Sequence, residues 1–138
     1  MNKSVLMIPA LLLAASAWAA APKTNFIDHS TDALIDEAGA KAVLGEAVPA
    51  KVWKLYPANK WTFSSQVEGG LKNGTCVVTA RVMLLPLTPT MKAVLFRPQK
   101  TATAFDAQSN ATAESCKALA KDKLKEATTG VVSALVKS

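Results

Sequence analysis

Aromatic and basic side chains alternate most densely in one stretch of the sequence, residues 51–61. Aromatic rings interleaved with cations can stack on bases or sugars while lysines hold phosphate or carboxylate groups. In a loop that crosses from a helix to a sheet, the same rings more often cover the edge of the core. Both interpretations stay open at this point. The residues concerned are Lys51, Trp53, Lys54, Tyr56, Lys60 and Trp61.

The remaining polar residues give little indication of catalysis. His29 can in principle act as a general base, but its context contains no recognisable nucleophile, so we expect a surface or capping role. Asp36 and Glu37 are adjacent, and on a helix they would not share a face as an acid–base pair would. A small hydrolase using Ser64, Ser65 or His29 is the weakest of the functional hypotheses.

No phosphate loop, dinucleotide fingerprint, zinc signature or nucleophile elbow occurs in the sequence. The chain has a single histidine and two cysteines, too few for most metal centres. We therefore expect no catalytic residues, no cofactor and no metal, and we predict that the protein is not an enzyme.

The first residues are typical of an export signal. Lys3 precedes an apolar run from Val5 to Ala15, and Ala17-Trp18-Ala19 supplies small residues for signal-peptidase cleavage. The run is too short for a transmembrane helix, and no cysteine follows it to carry a lipid anchor. The sequence thus predicts a cleaved signal peptide at 1–19 and a periplasmic or secreted mature chain, without a transmembrane segment, that a host immune system could meet as an antigen.

The predicted export changes the chemical state expected for the two cysteines. In an oxidising compartment, an even pair is most simply a disulfide, so Cys76–Cys116 is the expectation. A reactive thiol or a two-cysteine metal site is the alternative, but the wide spacing and the lack of a nearby histidine disfavour it.

The length and a hydrophobic content of 50% fit one domain at 20–138, with a flexible arm at 20–29. Apolar residues at helical spacing predict a first helix near 31–45, capped by Ser30 or Thr31 and ended by Gly45 and Pro49. The stretch from there to Trp61 is expected to be a loop.

Strands follow the first helix. Residues 61–68 alternate between apolar and polar, and Asn73-Gly74 is the signature of a type I′ hairpin turn. A second strand is predicted over 75–85 and a third over 91–97, which continues at 101–105 beyond Pro98. The even-numbered residues of the second strand, from Cys76 to Leu84, form its apolar face.

A long amphipathic helix is predicted from about Ala111, capped by Ser109 or Asn110, with a kink or a break at 128–130. Cys116 lies on its apolar stripe, so it can meet Cys76 if the helix packs across the sheet. We therefore predict an α+β fold: an amino-terminal helix, a three- to four-stranded antiparallel meander and a long carboxy-terminal helix in a two-layer sandwich.

The formal net charge of +6 is unevenly distributed. Residues 51–100 contain eight of the cations and Glu68 as their one acid. If one sheet face is open, Arg81 and Arg97 lie on it together, and such a face attracts polyanions. Charges that merely keep the surface solvated are the other interpretation. The predicted binding face comprises Lys51, Trp53, Lys54, Tyr56, Lys60, Trp61, Arg81, Lys92 and Arg97.

The signal ending Ala17-Trp18-Ala19, the pair Cys76 and Cys116, and the helix–meander–helix order resemble those of small uncharacterised exported proteins of proteobacteria. This resemblance brings no functional residues with it.

Two functional hypotheses result. The first is a non-enzymatic binding protein whose basic sheet face contacts an anionic envelope component or a partner protein. The second is an inhibitor or immunity-type protein that blocks a wall-degrading or toxic enzyme. The sequence carries no specific nucleic-acid signature.

Overall fold

A computed structural model describes residues 22–137. The predicted signal peptide at 1–19 lies outside the described residues. In chain order, the elements are β1 Phe26–Asp28, α1 Glu37–Ala47, α2 Ala50–Leu55, β2 Trp61–Lys72, β3 Thr75–Pro86, β4 Lys100–Gln108 and α3 Ala113–Leu135.

The four strands form one mixed sheet in the order β1-β2-β3-β4. β2, β3 and β4 are an antiparallel meander, whereas β1 runs parallel to β2. The long helix α3 packs on β3 and β4, and α1 packs beside α3. The predicted α+β fold with a carboxy-terminal helix on the sheet is therefore confirmed. Strand β1 lies within the segment for which the sequence predicts a flexible arm.

The core lies between the sheet and the helices. The even-numbered residues of β3, from Cys76 to Leu84, are fully buried, as the alternation predicts. Phe63 and Val67 of β2 are buried beside them, and Leu124 is buried on α3. Asn73 and Gly74 join β2 to β3 with φ angles of 51° and 77°. Both values are positive, as a type I′ turn requires.

The disulfide predicted from the sequence is present. Cys76 at the start of β3 is bonded to Cys116 in the first turn of α3, with a Cα–Cα distance of 5.5 Å. The bond ties the helix to the sheet at the end where the Asn73–Gly74 turn lies, and both cysteines belong to the buried core.

Helix α3 begins later than predicted and does not break. Thr112, not Ser109 or Asn110, is its cap: the Thr112 hydroxyl accepts from the Ser115 N–H, and the Ser115 hydroxyl accepts from the Thr112 N–H. The helix is continuous through 128–130, where the Thr128 hydroxyl donates to the Leu124 carbonyl at 2.7 Å.

The first helix also begins later than predicted. Asp36 caps α1 by accepting a 2.7 Å hydrogen bond from the Gly39 N–H. The preceding residues continue alongside β2 instead, since the Thr31 N–H donates to the Val67 carbonyl. The expected loop after Pro49 contains the short helix α2, which the sequence pattern does not predict.

The predicted third strand at 91–97 is wrong, whereas 101–105 does lie in a strand, β4. Residues 87–99 form a folded connection that contains an isolated bridge between Leu87 and Ala93. Met91 has a φ of 64°, which a continuous strand cannot accommodate. Pro89 and Pro98 lack the N–H groups that a ladder needs. Apolar residues in this stretch therefore mimic a strand without forming one.

Candidate functional site

Strand register gathers three connections at one end of the sheet. Trp61, at the start of β2, lies opposite Pro86, at the end of β3. Lys100, at the start of β4, lies opposite Leu84. On the other side, the Phe63 N–H donates to the carbonyl of Asn25. Residues 22–25, 56–60 and 87–99 consequently meet at this end.

These connections and the neighbouring helix α2 carry a concentration of exposed cations, which we name the basic end. The salt bridges within residues 22–137 join Lys41 to Glu37 and Lys123 to Glu126, so no basic-end cation is part of one. The basic end comprises Lys23, Lys51, Lys54, Lys60, Lys92, Arg97 and Lys100, all exposed.

Both salt bridges lie on the helices. The hydrogen bond and the positive charge of Lys41 lower the pKa of Glu37. The hydrogen bond to Glu126 raises the pKa of Lys123. Lys41 and Lys123 are thus partly neutralised by a carboxylate on the same helix. The basic-end cations have no such carboxylate partner within residues 22–137.

The basic sheet face expected from the sequence is not formed as such. Arg81 lies in the middle of β3 on the face without helices, between Gln66 of β2 and Thr103 of β4. Arg97 belongs to the 87–99 connection, beyond the start of β4, and does not sit beside Arg81 on a strand. Most of the predicted cations are brought together, but at an end of the sheet, and Arg81 is left outside the group.

The aromatic residues of 51–61 cover the core. The Trp53 ring packs edge-to-face against Phe63 at 5.4 Å and against Phe26 at 5.7 Å between centroids. Tyr56 and Trp61 form a second edge-to-face pair at 5.2 Å. All three aromatic residues of the stretch are partly buried against the core. This geometry supports core cover as the role of the rings, while the lysines between them point to a charged surface.

A cleft of about 510 Å³ opens beside this aromatic cluster. Its walls come from residues 22–24, α2 and residues 57–59, with Lys23 and Lys54 among the lining residues. The indole Nε1 of Trp53, another lining residue, is buried and has no hydrogen-bond partner among the described residues. The cleft belongs to the basic end and adds a concave apolar surface to it.

The candidate catalytic residues lie close together along the backbone but form no nucleophile–base pair. The His29 N–H donates to the Ser65 carbonyl at 2.9 Å, and no hydrogen bond within residues 22–137 joins the His29 side chain to Ser64 or Ser65. Ser64 and Ser65 are buried, whereas His29 is exposed. The Ser65 hydroxyl donates to Asp28 Oδ1 at 2.7 Å, and the Ser30 hydroxyl donates to the same oxygen at 2.6 Å. These hydrogen bonds tie β1 and the following residues to β2, which is a structural role.

Residues 22–137 hold neither a metal-binding cluster nor a membrane-spanning helix. Within that range, no group of three or more His, Cys, Asp or Glu side chains is arranged to hold a metal ion. No helix in the same range has the length and hydrophobicity needed to cross a bilayer.

The 87–99 connection contains functional candidates that sequence reasoning missed. The apolar pattern predicts that Met91, Leu95 and Phe96 lie in a strand. In the structure, their exposed fractions are 47%, 57% and 95%. The signal available was the pair of prolines that brackets them, Pro89 and Pro98, since prolines at this spacing are rare within a paired strand.

Comparison with known proteins shows the fold alone. No family model matches the sequence, and neither does any curated protein. A single-residue variant of PelC from Paraburkholderia phytofirmans, a dodecamer, aligns over 81% of this chain and 93% of its own, with a TM-score of 0.50 and 13% identity. A candidate lipoprotein from Caulobacter crescentus aligns over 79% of this chain and 82% of its own, with 11% identity. Its TM-score of 0.36 is too low to support an inference.

Proposed function

We propose that the protein is an exported, non-enzymatic binding protein that contacts an anionic component of the cell envelope through the basic end. One observation carries the proposal: seven exposed cations lie at one end of the sheet, and none belongs to a salt bridge within residues 22–137. Unpaired cations at close quarters reinforce one another's potential and attract polyanions, with release of counterions.

The arrangement suits an extended ligand better than a small one. The basic-end cations are distributed over three connections, α2 and the first residue of β4, and they are exposed instead of lining a closed pocket. Such a surface can follow a polymer or a layer of anionic groups, because each cation contributes separately. The export signal predicted at 1–19 supports an envelope location for the ligand.

The neighbour PelC is described as a dodecamer. An oligomer of this chain would present several basic ends to one polyanion, and the linked contacts would strengthen binding beyond that of a single copy. Binding by the basic end does not require such assembly.

The test uses the mature chain, residues 20–138, and heparin as a soluble model polyanion. The triple variant K54E/K60E/R97E reverses three charges of the basic end. The matched control K72E/K117E/K121E reverses three exposed lysines outside the basic end and changes the net charge by the same amount. We expect the basic-end triple to weaken heparin binding at least tenfold at roughly 50 mM salt, and the control to weaken it much less.

Salt dependence distinguishes the proposal from the inhibitor hypothesis. Binding through the basic end should fall steeply between roughly 50 and 300 mM salt, because counterion release drives it. An inhibitor anchored by aromatic side chains would hold its enzyme at both concentrations. Equal loss of heparin binding in the two triples would show that net charge alone is responsible and would refute the proposal.

A further inference from the structure

The 87–99 connection exposes large apolar side chains, and its adjacent pair Leu95 and Phe96 is named here the apolar tip. Phe96 is 95% exposed, and its neighbour Leu95 is 57% exposed. Met91 lies in the same connection and is also exposed. None of the three belongs to the core cluster or packs against it. Adjacent exposed apolar side chains such as Leu95 and Phe96 can form part of a contact surface.

The connection is held in a defined shape. Backbone hydrogen bonds tie it to the ends of the strands on either side and close a small turn within it. Phe96 lies outside that small turn, in a second turn between the bonded residues Val94 and Gln99, and is exposed to solvent there. The bonds are Leu87 N–H to Lys60 O, Thr88 N–H to Lys92 O, Val94 N–H to Pro86 O and Gln99 N–H to Leu84 O, each of 2.8 or 2.9 Å.

Cations flank the apolar tip. Lys92 precedes Leu95 and Phe96, while Arg97 and Lys100 follow them, and residues 87–100 contain no acidic side chain. Protein–protein interfaces are depleted in lysine relative to the rest of the protein surface, whereas two of these three cations are lysines. Charges of a single sign beside exposed apolar side chains fit a surface that is uniformly negative outside and apolar beneath. An anionic lipid layer has this chemistry.

We propose that the 87–99 connection is a membrane-contact loop: Leu95 and Phe96 enter the interfacial region of an anionic lipid surface while Lys92, Arg97 and Lys100 meet the phosphate groups. This inference rests on the proposed function, because these cations belong to the basic end, and it names lipid headgroups as the anionic component.

Vesicle binding by the mature chain tests the loop. The vesicles contain roughly one third phosphatidylglycerol in phosphatidylcholine, with pure phosphatidylcholine as the uncharged reference. The variant L95S/F96S removes the apolar tip. Its matched control, L71S/F105S, removes the same residue types at positions that are 42% and 63% exposed and lie outside the basic end.

We expect L95S/F96S to lower partitioning onto the anionic vesicles at least tenfold and the control to change it less than twofold. Heparin binding should stay within twofold in both variants, since neither alters a charge. As a second measurement, F96W should retain binding, and its added fluorescence should be quenched by lipids brominated in the acyl chains.

Three outcomes overturn the inference in different ways. If L95S/F96S partitions like the unmodified chain, contact is with headgroups only, and the proposed function survives alone. If the chain binds heparin but no vesicle, the tip faces a protein instead. If it binds neither ligand, the proposed function has failed and the membrane-contact loop fails with it.

Discussion

The two ends of the sheet are built differently. At one end, the two-residue turn Asn73–Gly74 joins β2 to β3, and the Cys76–Cys116 disulfide fastens α3 to the sheet. At the other end, the connection over 87–99 is long, cationic and apolar at its tip. The first end is closed by a short turn and a covalent bond, whereas the second end exposes side chains that do not pack in the core.

This difference separates residues that stabilise the fold from residues that are available for contact. Removing a side chain from the disulfide end or the core should cost stability. Removing charges from the basic end should leave stability nearly unchanged and affect binding only. Four measurements of unfolding test this separation.

The largest effect is expected from the disulfide. The variant C76A/C116A frees a loop whose ends are separated by 40 positions, and the chain-entropy model gives a loss of about 4 kcal/mol in the free energy of unfolding. Denaturant unfolding of the oxidised chain and the variant measures it. A loss below about 1 kcal/mol would show that the helix is held to the sheet by packing alone.

The next largest effect is expected from a side chain buried between the sheet and α3, compared with one on the open face of the sheet. Leu124 on α3 is fully buried, so L124A should cost about 2–5 kcal/mol in unfolding free energy. Phe105 lies on the face without helices and is 63% exposed, so F105A should cost less than about 1 kcal/mol despite removing a larger side chain. Similar losses would mean that both faces of the sheet are covered in solution.

A smaller effect is expected at the start of α3. Thr112 caps the helix by accepting from the Ser115 N–H, and T112A should cost about 1 kcal/mol of unfolding free energy. T129A is the control, because Thr129 is exposed on the same helix and has no cap to lose. If T129A destabilises as much as T112A, then the cap is not the source of the loss.

The smallest effect should come from the basic end. The triple K54E/K60E/R97E removes exposed cations that form no salt bridge within residues 22–137, so thermal unfolding should show a change within about 0.5 kcal/mol. A marked loss would assign these cations a structural role and weaken the contrast between the two ends. A gain would indicate relief of mutual repulsion, which agrees with crowded positive charge.

Much of the fold could be predicted from local patterns. Alternation over Cys76–Leu84 identified the buried face of β3, and Asn73–Gly74 identified its turn, because each pattern reflects a local backbone requirement. Helix bounds were less accurate, since Asp36 and Thr112 compete with nearby hydroxyl residues as caps. The short helix α2 carried no distinct signal, and apolar residues at 91–97 imitated a strand.

The candidate site was only partly predictable. The sequence showed an excess of cations over 51–100, but a strand pattern could not show which of them meet. The strand pattern predicts that Arg81 and Arg97 share a face, but Arg97 lies in the 87–99 connection and belongs to no strand. The same pattern predicts a strand at Phe96, but Phe96 lies in a turn between Val94 and Gln99 and is exposed.

By itself, the sequence determined the class of fold, the disulfide pairing and the overall basic charge, because these depend on composition, periodicity and cysteine count. The tertiary structure alone decided where the charge is concentrated. Strand register is a long-range property set by pairing across the sheet, and it brought Lys23, Lys60 and Arg97 to one end from distant parts of the chain.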